Sequence, residues 1–249
     1  MNRPCTIVIP CYNEETRFPF DRFAGFVAAN PAIRFLLVDD GSKDMTLAVL
    51  RRARAGREDQ VDVIAQPVNG GKGEAVRSGV LAALRQEGCQ YVGFWDADLA
   101  TPLEMIDELA AVLATRPELA MVFGARVKLL GRKVERRAIR HYLGRIFATV
   151  VSLALRLPIY DTQCGAKLFR VTGETNVLFA EPFCSRWVFD VEIIARFIRQ
   201  RRYDMDSVQA SIYEFPLPEW RDVAGSRVRP GDFLKAFLDV VKIYSRYRP

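Results

Sequence analysis

The feature that most restricts the fold is a series of short apolar runs: Thr6-Ile7-Val8-Ile9, Phe35-Leu36-Leu37-Val38, Val61 to Ala65, Tyr91 to Trp95 and Met121 to Ala125. Each is too short for a helix. Their unbroken apolarity suits strands covered on both faces better than strands with one face in water. Helices are expected between them, over Phe20 to Ala29, over Thr46 to Ala55, and from Asn69-Gly70-Gly71-Lys72-Gly73 to a stop at Gly88. A fourth, over Pro102 to Ala114, is expected to open with a capping box in which Thr101, Pro102 and Glu104 take the N-cap, N1 and N3 places. Strand and helix alternate, so the expected class is α/β, with a mostly parallel central sheet, helices on both faces and right-handed crossovers.

A parallel sheet binds ligands beyond the carboxyl ends of its strands. The first, second and fourth runs end near Pro10 and Tyr12, on Asp39-Asp40, and on Asp96-Ala97-Asp98, and these groups are expected to converge in one crevice. Two carboxylates one residue apart suit a hard divalent cation that takes its other oxygens from substrate phosphates. An isolated Asp-x-Asp is most often a solvated or capping pair, so its neighbours decide. Here they are an aromatic ring and a hydrogen-bond-accepting carboxylate, which with the metal-binding pair match the base, the base N–H and the diphosphate of a nucleotide, and the Gly-rich loop carrying Lys72 faces the same rim. No Gly-x-Gly-x-x-Gly follows the first run, and Gly73 is followed by Glu74 rather than completing a P-loop.

Composition removes other chemistries. The five cysteines, Cys5, Cys11, Cys89, Cys164 and Cys184, are widely spaced and never form Cys-x-x-Cys, which favours neither a zinc site nor a disulfide framework. The single histidine, His141, leaves no histidine-rich metal site and makes a Ser-His-Asp triad depend on one residue. The net charge of +6 is concentrated between Arg126 and Arg145, where Lys and Arg recur against the single acid Glu135, a block suited to anionic partners. Phosphate groups and an anionic membrane surface rank above nucleic acid, for which no motif is present. No run approaches the ~18 apolar residues of a membrane span, and Met1-Asn2-Arg3-Pro4 leads directly into the first strand, so a cytoplasmic protein, at most peripheral on the membrane, is expected. The apolar stretch His141 to Leu157 reads equally as an interfacial or a core helix. The amphipathic tail Phe233 to Tyr244, ringed by Lys235, Lys242, Arg246 and Arg248, could pack on the domain or lie on a membrane.

Pro10-Cys11-Tyr12-Asn13-Glu14, Val38-Asp39-Asp40-Gly41-Ser42, Asn69-Gly70-Gly71-Lys72-Gly73 and Asp96-Ala97-Asp98, in that order, resemble the inverting family 2 glycosyltransferases of GT-A fold. Asp161-Thr162-Gln163-Cys164-Gly165-Ala166-Lys167-Leu168-Phe169, Arg186-Trp187-Val188-Phe189-Asp190-Val191-Glu192 and Trp220 with Gly225-Ser226 narrow the resemblance to dolichyl-phosphate β-glucosyltransferases and their bacterial polyprenyl-phosphate relatives. It implies one GT-A domain over residues 1–249, with a nucleotide-sugar half (1–125) and an acceptor half (126–249). Pro10, Tyr12, Glu14, Lys72 and one of Asp39 and Asp40 would contact the donor. Asp96 and Asp98 would hold Mg²⁺ or Mn²⁺ on the diphosphate, and Arg126 would meet phosphate. Gln163, Lys167, Arg186 and Trp187 would lie on the acceptor side.

Two departures stand out. Ala100 occupies the place where dolichyl-phosphate mannose synthases usually carry glutamine, which disfavours mannose and leaves the metal one side chain short. The transmembrane anchor at one end of many relatives has no counterpart. The implied reaction moves a hexose, glucose from UDP-glucose, onto a polyprenyl phosphate. A lipid phosphate is already ionised near neutral pH and needs no base, whereas a hydroxyl acceptor would require Asp190 or Glu192. Three alternatives remain: a family 2 transferase acting on a hydroxyl, a non-catalytic nucleotide-sugar-binding protein, and a nucleotidyltransferase that would release pyrophosphate. A plainer reading of Arg186 to Glu192 is the first turn of a helix with a buried Trp187.

Overall fold

The computed structural model describes residues 4–135, 138–221, 223 and 230–248, with no side-chain description for 135, 138–141 and 230–233. Arg136, Arg137 and the Gly225-Ser226 element lie outside the described residues, and the side chains of Arg140, His141 and Phe233 are likewise outside them. In chain order the elements are β1 (Cys5–Cys11), α1 (Phe20–Ala29), β2 (Ile33–Asp39), α2 (Thr46–Arg54), β3 (Val61–Ala65), α3 (Lys72–Ala83), β4 (Tyr91–Trp95), α4 (Met105–Thr115) and β5 (Met121–Ala125). The second half adds β6 (Lys133–Glu135), α5 (Ala138–Leu155), β7 (Ala166–Arg170), α6 (Gly173–Ala180), α7 (Phe189–Gln200), α8 (Met205–Ser211), β8 (Ile212–Pro216), β9 (Glu219–Arg221) and α9 (Pro230–Tyr247).

A seven-stranded sheet has the order β3-β2-β1-β4-β7-β5-β8, and β6 pairs with β9 in a separate two-stranded ribbon. The pairings β1 to β2, β1 to β4, β2 to β3 and β5 to β8 are parallel, and β7 runs antiparallel to both of its neighbours, β4 and β5. The α/β class expected from the apolar runs is the one observed. Alternation along β1 shows why the runs are continuous: Val8 joins the core beneath α3, α5, α6, α7 and α9, while Ile7 and Ile9 join the core beneath α1, α2 and α4. Both faces are covered, so neither can be polar.

Two local expectations are corrected. The capping box does not form: α4 begins at Met105, and its N-cap Glu104 makes no side-chain cap bond. The chain first makes turns in which Met105 N–H donates to Pro102 O at 3.2 Å and Ile106 N–H to Leu103 O at 2.9 Å. Thr101 is buried, and its carbonyl accepts the Trp95 indole N–H at 3.1 Å, so tertiary packing holds this residue instead of a cap. Helix α3 stops at Ala83, short of Gly88, and residues 84–88 continue as turns and a bend.

Candidate active site

The carboxyl ends of β1 and β4, the loop before α3, the segment before β7 and the start of α7 meet at a cavity of about 570 Å³. Tyr12, Asp40, Lys72, Asp96 and Asp98, which the topology brings to one rim, line it together with Pro10 and Glu14. Arg126, Gln163, Arg186, Trp187 and Asp190 complete its wall. Helix α5 contributes Gly144, Arg145, Phe147 and Ala148, which places it over the same cavity.

The carboxylate pair sits on a tight turn. Asp96 O accepts Leu99 N–H at 3.1 Å, Asp98 Oδ1 accepts Ala100 N–H at 3.1 Å, and Leu99 takes a left-handed φ of 49°. Lys72 Nζ lies 2.5 Å from Asp96 Oδ1. Burial disfavours the Asp96 charge, but the Lys72 ammonium, with Arg126 and Lys167 behind it, outweighs burial and holds the carboxyl below its ordinary range. Burial and the neighbouring Asp96 charge push Asp98 up. Lys72 is affected in the opposite sense: burial lowers it, and the carboxylates around it more than restore it, so it stays above its ordinary value.

The Gly-rich loop is built from both sides. Asp40 accepts Gly70 N–H at 2.7 Å, and its other oxygen accepts Gly71 N–H and Asn69 Nδ2 at 2.9 Å each. Across the loop, the Arg186 guanidinium donates to Gly70 O at 3.0 Å, to Asn69 O at 2.7 Å and to Asn69 Oδ1. Gly71 precedes α3 with φ 90°, and a Cβ there would meet Arg186 Nε at 2.7 Å. Asp40 thus faces the cavity with its carboxylate engaged by the loop. Asp39, buried and accepting Ser42 N–H at 3.3 Å, lies off the lining.

The segment 160–165 is fixed from two strands. Glu214 of β8 accepts Tyr160 N–H at 2.7 Å and Asp161 N–H at 2.8 Å. Asp161 in turn takes both arms of Arg126, Nε at 2.7 Å and Nη2 at 2.8 Å. Burial acts against the Arg126 charge, and Asp161 reverses the effect, so the guanidinium lies above its ordinary value. Lys167 of β7, expected on the acceptor side, is fully buried behind the wall. Its ammonium donates to Thr162 O at 2.9 Å and Cys164 O at 2.5 Å and lies 2.6 Å from Asp190 Oδ1. It therefore orients the wall and Asp190 without reaching the cavity.

Glu192 does not fit the part of a base. It is fully buried, accepts Cys184 N–H at 2.6 Å and the Tyr247 hydroxyl at 2.9 Å, and pairs with Arg196 at 2.8 Å. Trp187 is 48% exposed and precedes α7, so the reading with a buried tryptophan fails. Two residues on the site were not singled out from the sequence. Arg17 reaches Glu14 Oε1 at 3.1 Å and Asp98 Oδ2 at 3.7 Å, joining the loop after β1 to the loop after β4. Its only sequence signal is the i,i+3 spacing from Glu14. Arg145 stacks 3.7 Å from the Tyr160 ring centroid and donates to Tyr160 O at 3.2 Å. It sat in the basic block without distinction from its neighbours.

The donor set of Asp96 and Asp98 is hard oxygen only, and among the described residues no group of three or more His, Cys, Asp or Glu could hold a metal. A half-buried like-charged pair with room beside it fits a Mg²⁺-type or Mn²⁺-type ion completed by substrate oxygens, not an all-protein cage.

The description "Glycosyl transferase family 2" matches residues 6–174. The chain is a family 2 glycosyltransferase. A dolichyl-phosphate β-glucosyltransferase of Trichomonas vaginalis is 32% identical over 98% of this transferase and 71% of its own length. Its Homo sapiens counterpart is 30% identical over 97% of this chain and 75% of its own. Among solved structures, glucosyl-3-phosphoglycerate synthase from Mycobacterium tuberculosis with phosphoglyceric acid is 17% identical, with a TM-score of 0.69 over 98% of the transferase and 80% of that chain. The same protein with Mn²⁺, UDP-glucose and phosphoglyceric acid gives a TM-score of 0.66 at 16% identity, and the likeness establishes the GT-A fold.

Proposed function

We propose that this glycosyltransferase moves glucose from UDP-glucose to a polyprenyl phosphate, with inversion at the anomeric carbon. The observation that carries the reading is the continuity of one cavity between the Asp96, Asp98 and Lys72 cluster and α5, whose outer face is apolar. Relatives at about 30% identity carry the dolichyl-phosphate β-glucosyltransferase name, and the fold neighbour binds UDP-glucose with Mn²⁺. In this reading residues 1–125 hold the donor and 126–249 the acceptor. Pro10 and Tyr12 flank the base, and Asp40 acts through the loop it holds.

Asp96 and Asp98 would hold Mg²⁺ or Mn²⁺, which when bound supplies charge neutralisation for the departing diphosphate. Lys72 adds positive charge on the same side. Arg126 and Arg145 attract the acceptor phosphate and orient it in line with the anomeric carbon. The phosphate oxygen attacks as it is, so no base is required. Asp190, 2.6 Å from Lys167, also lines the cavity and is placed to hydrogen-bond sugar hydroxyls.

The lipid reading extends to the surface. Among the described residues no helix is long and apolar enough to cross a membrane. Instead α5 exposes Tyr142, Ile146, Val150 and Leu153, and the neighbouring α9 exposes Leu234, Leu238, Val241 and Tyr244. The two helices touch through Phe147 and Phe237, with ring centroids 5.6 Å apart. Exposed Lys235, Lys242 and Arg246 lie beside these apolar residues on α9, which suits contact with an anionic bilayer surface on the cytoplasmic side.

The test is transfer from labelled nucleotide sugars into an organic-extractable product, with polyprenyl phosphate and Mg²⁺ or Mn²⁺, in wild type and Asp98→Asn. Labelled lipid from UDP-glucose, reduced on the order of 10²-fold or more in the variant, is expected. Asp190 on the cavity wall favours one second reading, transfer to a hydroxyl with Asp190 as base. UDP release with hydroxyl acceptors, no lipid product and loss of activity in Asp190→Asn would select it.

A further inference from the structure

Two cations already pair with the carboxylates to which the donor reading assigns a metal. Lys72, in the first turn of α3, lies 2.5 Å from Asp96. Arg17, on the loop after β1, lies 3.1 Å from Glu14 and 3.7 Å from Asp98. All of these groups line the same cavity, and the buried Arg17 Nε has no hydrogen-bond partner among the described residues. The guanidinium therefore keeps donor capacity beyond its two carboxylates.

A divalent ion in contact with Asp98 would repel a guanidinium less than 4 Å away and compete with it for the same oxygen. A diphosphate bound beside the carboxylates would repel them unless cations stood between. Both conflicts are relieved together when the ion takes the carboxylates and the cations turn to phosphate oxygens. We propose that Arg17 makes metal binding and nucleoside diphosphate binding mutually dependent, by serving either Asp98 and Glu14 or the diphosphate. The inference rests on the donor reading above and assigns Arg17 a positioning role between the two ligands. By linkage the effect is reciprocal: the factor by which UDP tightens the metal equals that by which the metal tightens UDP.

The experiment is a titration of free Mn²⁺ followed by electron paramagnetic resonance, with and without saturating UDP. Wild type, Arg17→Gln, Arg17→Met and Arg17→Lys are compared, each checked for cooperative unfolding by circular dichroism. UDP is expected to tighten Mn²⁺ binding to wild type on the order of ten-fold or more. In the Gln and Met variants Mn²⁺ alone binds several-fold more tightly and the UDP enhancement shrinks several-fold, while the Lys variant keeps both. If Arg17→Gln loses cooperative unfolding, Arg17→Met, which retains an apolar stem, decides by the same criteria.

An enhancement unchanged in the Gln and Met variants, or Mn²⁺ alone bound no more tightly by them, overturns the proposal while leaving the donor site standing. Failure of wild type to bind UDP even with Mn²⁺ overturns the donor reading and the proposal with it.

Discussion

Gly165 shows how little room the site leaves for choice at the residue scale. A Cβ there would lie 1.8 Å from Asp96 Oδ2, so any side chain has to displace the carboxylate. Gly165→Ala is expected to fold with a loss of about 1–3 kcal/mol and to lose most Mn²⁺-dependent UDP binding, measurable by calorimetry. Retention of wild-type affinity would show that Asp96 has freedom the packing denies. Arg126 and Lys167 illustrate opposite fates for basic residues beside one cavity. Arg126 keeps its place on the cavity while gripped by Asp161, whereas Lys167 is drawn wholly inside by two carbonyls and Asp190. Arg126 lies just past the end of β5, on the rim, whereas Lys167 sits within β7 inside the sheet.

At the scale of elements, α9 is tied to α7 through a buried polar cluster. The Tyr247 hydroxyl donates to Glu192 at 2.9 Å, Arg196 Nε lies 3.2 Å from the same hydroxyl, and Arg199 and Arg246 stand near the ring. Burial, with Glu192 accepting the proton, raises the Tyr247 phenol above its ordinary value, and Arg196 opposes this only in part. The folded state thus favours the protonated form. That contribution is complete below the ordinary phenol pKa of about 10 and is lost as pH rises through the higher folded value. The thermal unfolding temperature is therefore expected to fall more steeply above about pH 10 in wild type than in Tyr247→Phe. At neutral pH the variant should lose about 1 kcal/mol, since Glu192 keeps its other partners. Equal pH slopes would remove Tyr247 as the cause.

At the scale of the whole molecule, the exposed apolar residues of α5 and α9 lie beside the cavity rather than at random. Leu153 is 74% and Leu238 62% exposed, so replacing them touches no core and should change stability by no more than about 0.5 kcal/mol. Leu153→Glu with Leu238→Glu is expected to abolish sedimentation with anionic liposomes at low salt while leaving UDP binding intact. Undiminished sedimentation would move the membrane contact elsewhere.

The sequence by itself determined the first five strands, α1 to its end residues, the alternation that makes the sheet mostly parallel, and the convergence of Tyr12, Asp40, Lys72, Asp96 and Asp98 on one rim. Those follow from apolar periodicity and from parallel topology, which are local and additive. Tertiary structure alone decided the rest. β7 was illegible because Lys167 interrupts its apolar run, and a lysine reads as surface until two carbonyls, Asp190 and the Phe94 and Phe123 rings enclose it. Glu192 reads as a candidate base until Arg196, Tyr247 and the Cys184 amide saturate it. Arg17 gains its meaning only when the loop after β1 meets the loop after β4, because an ion pair between residues 81 positions apart has no periodicity to announce it.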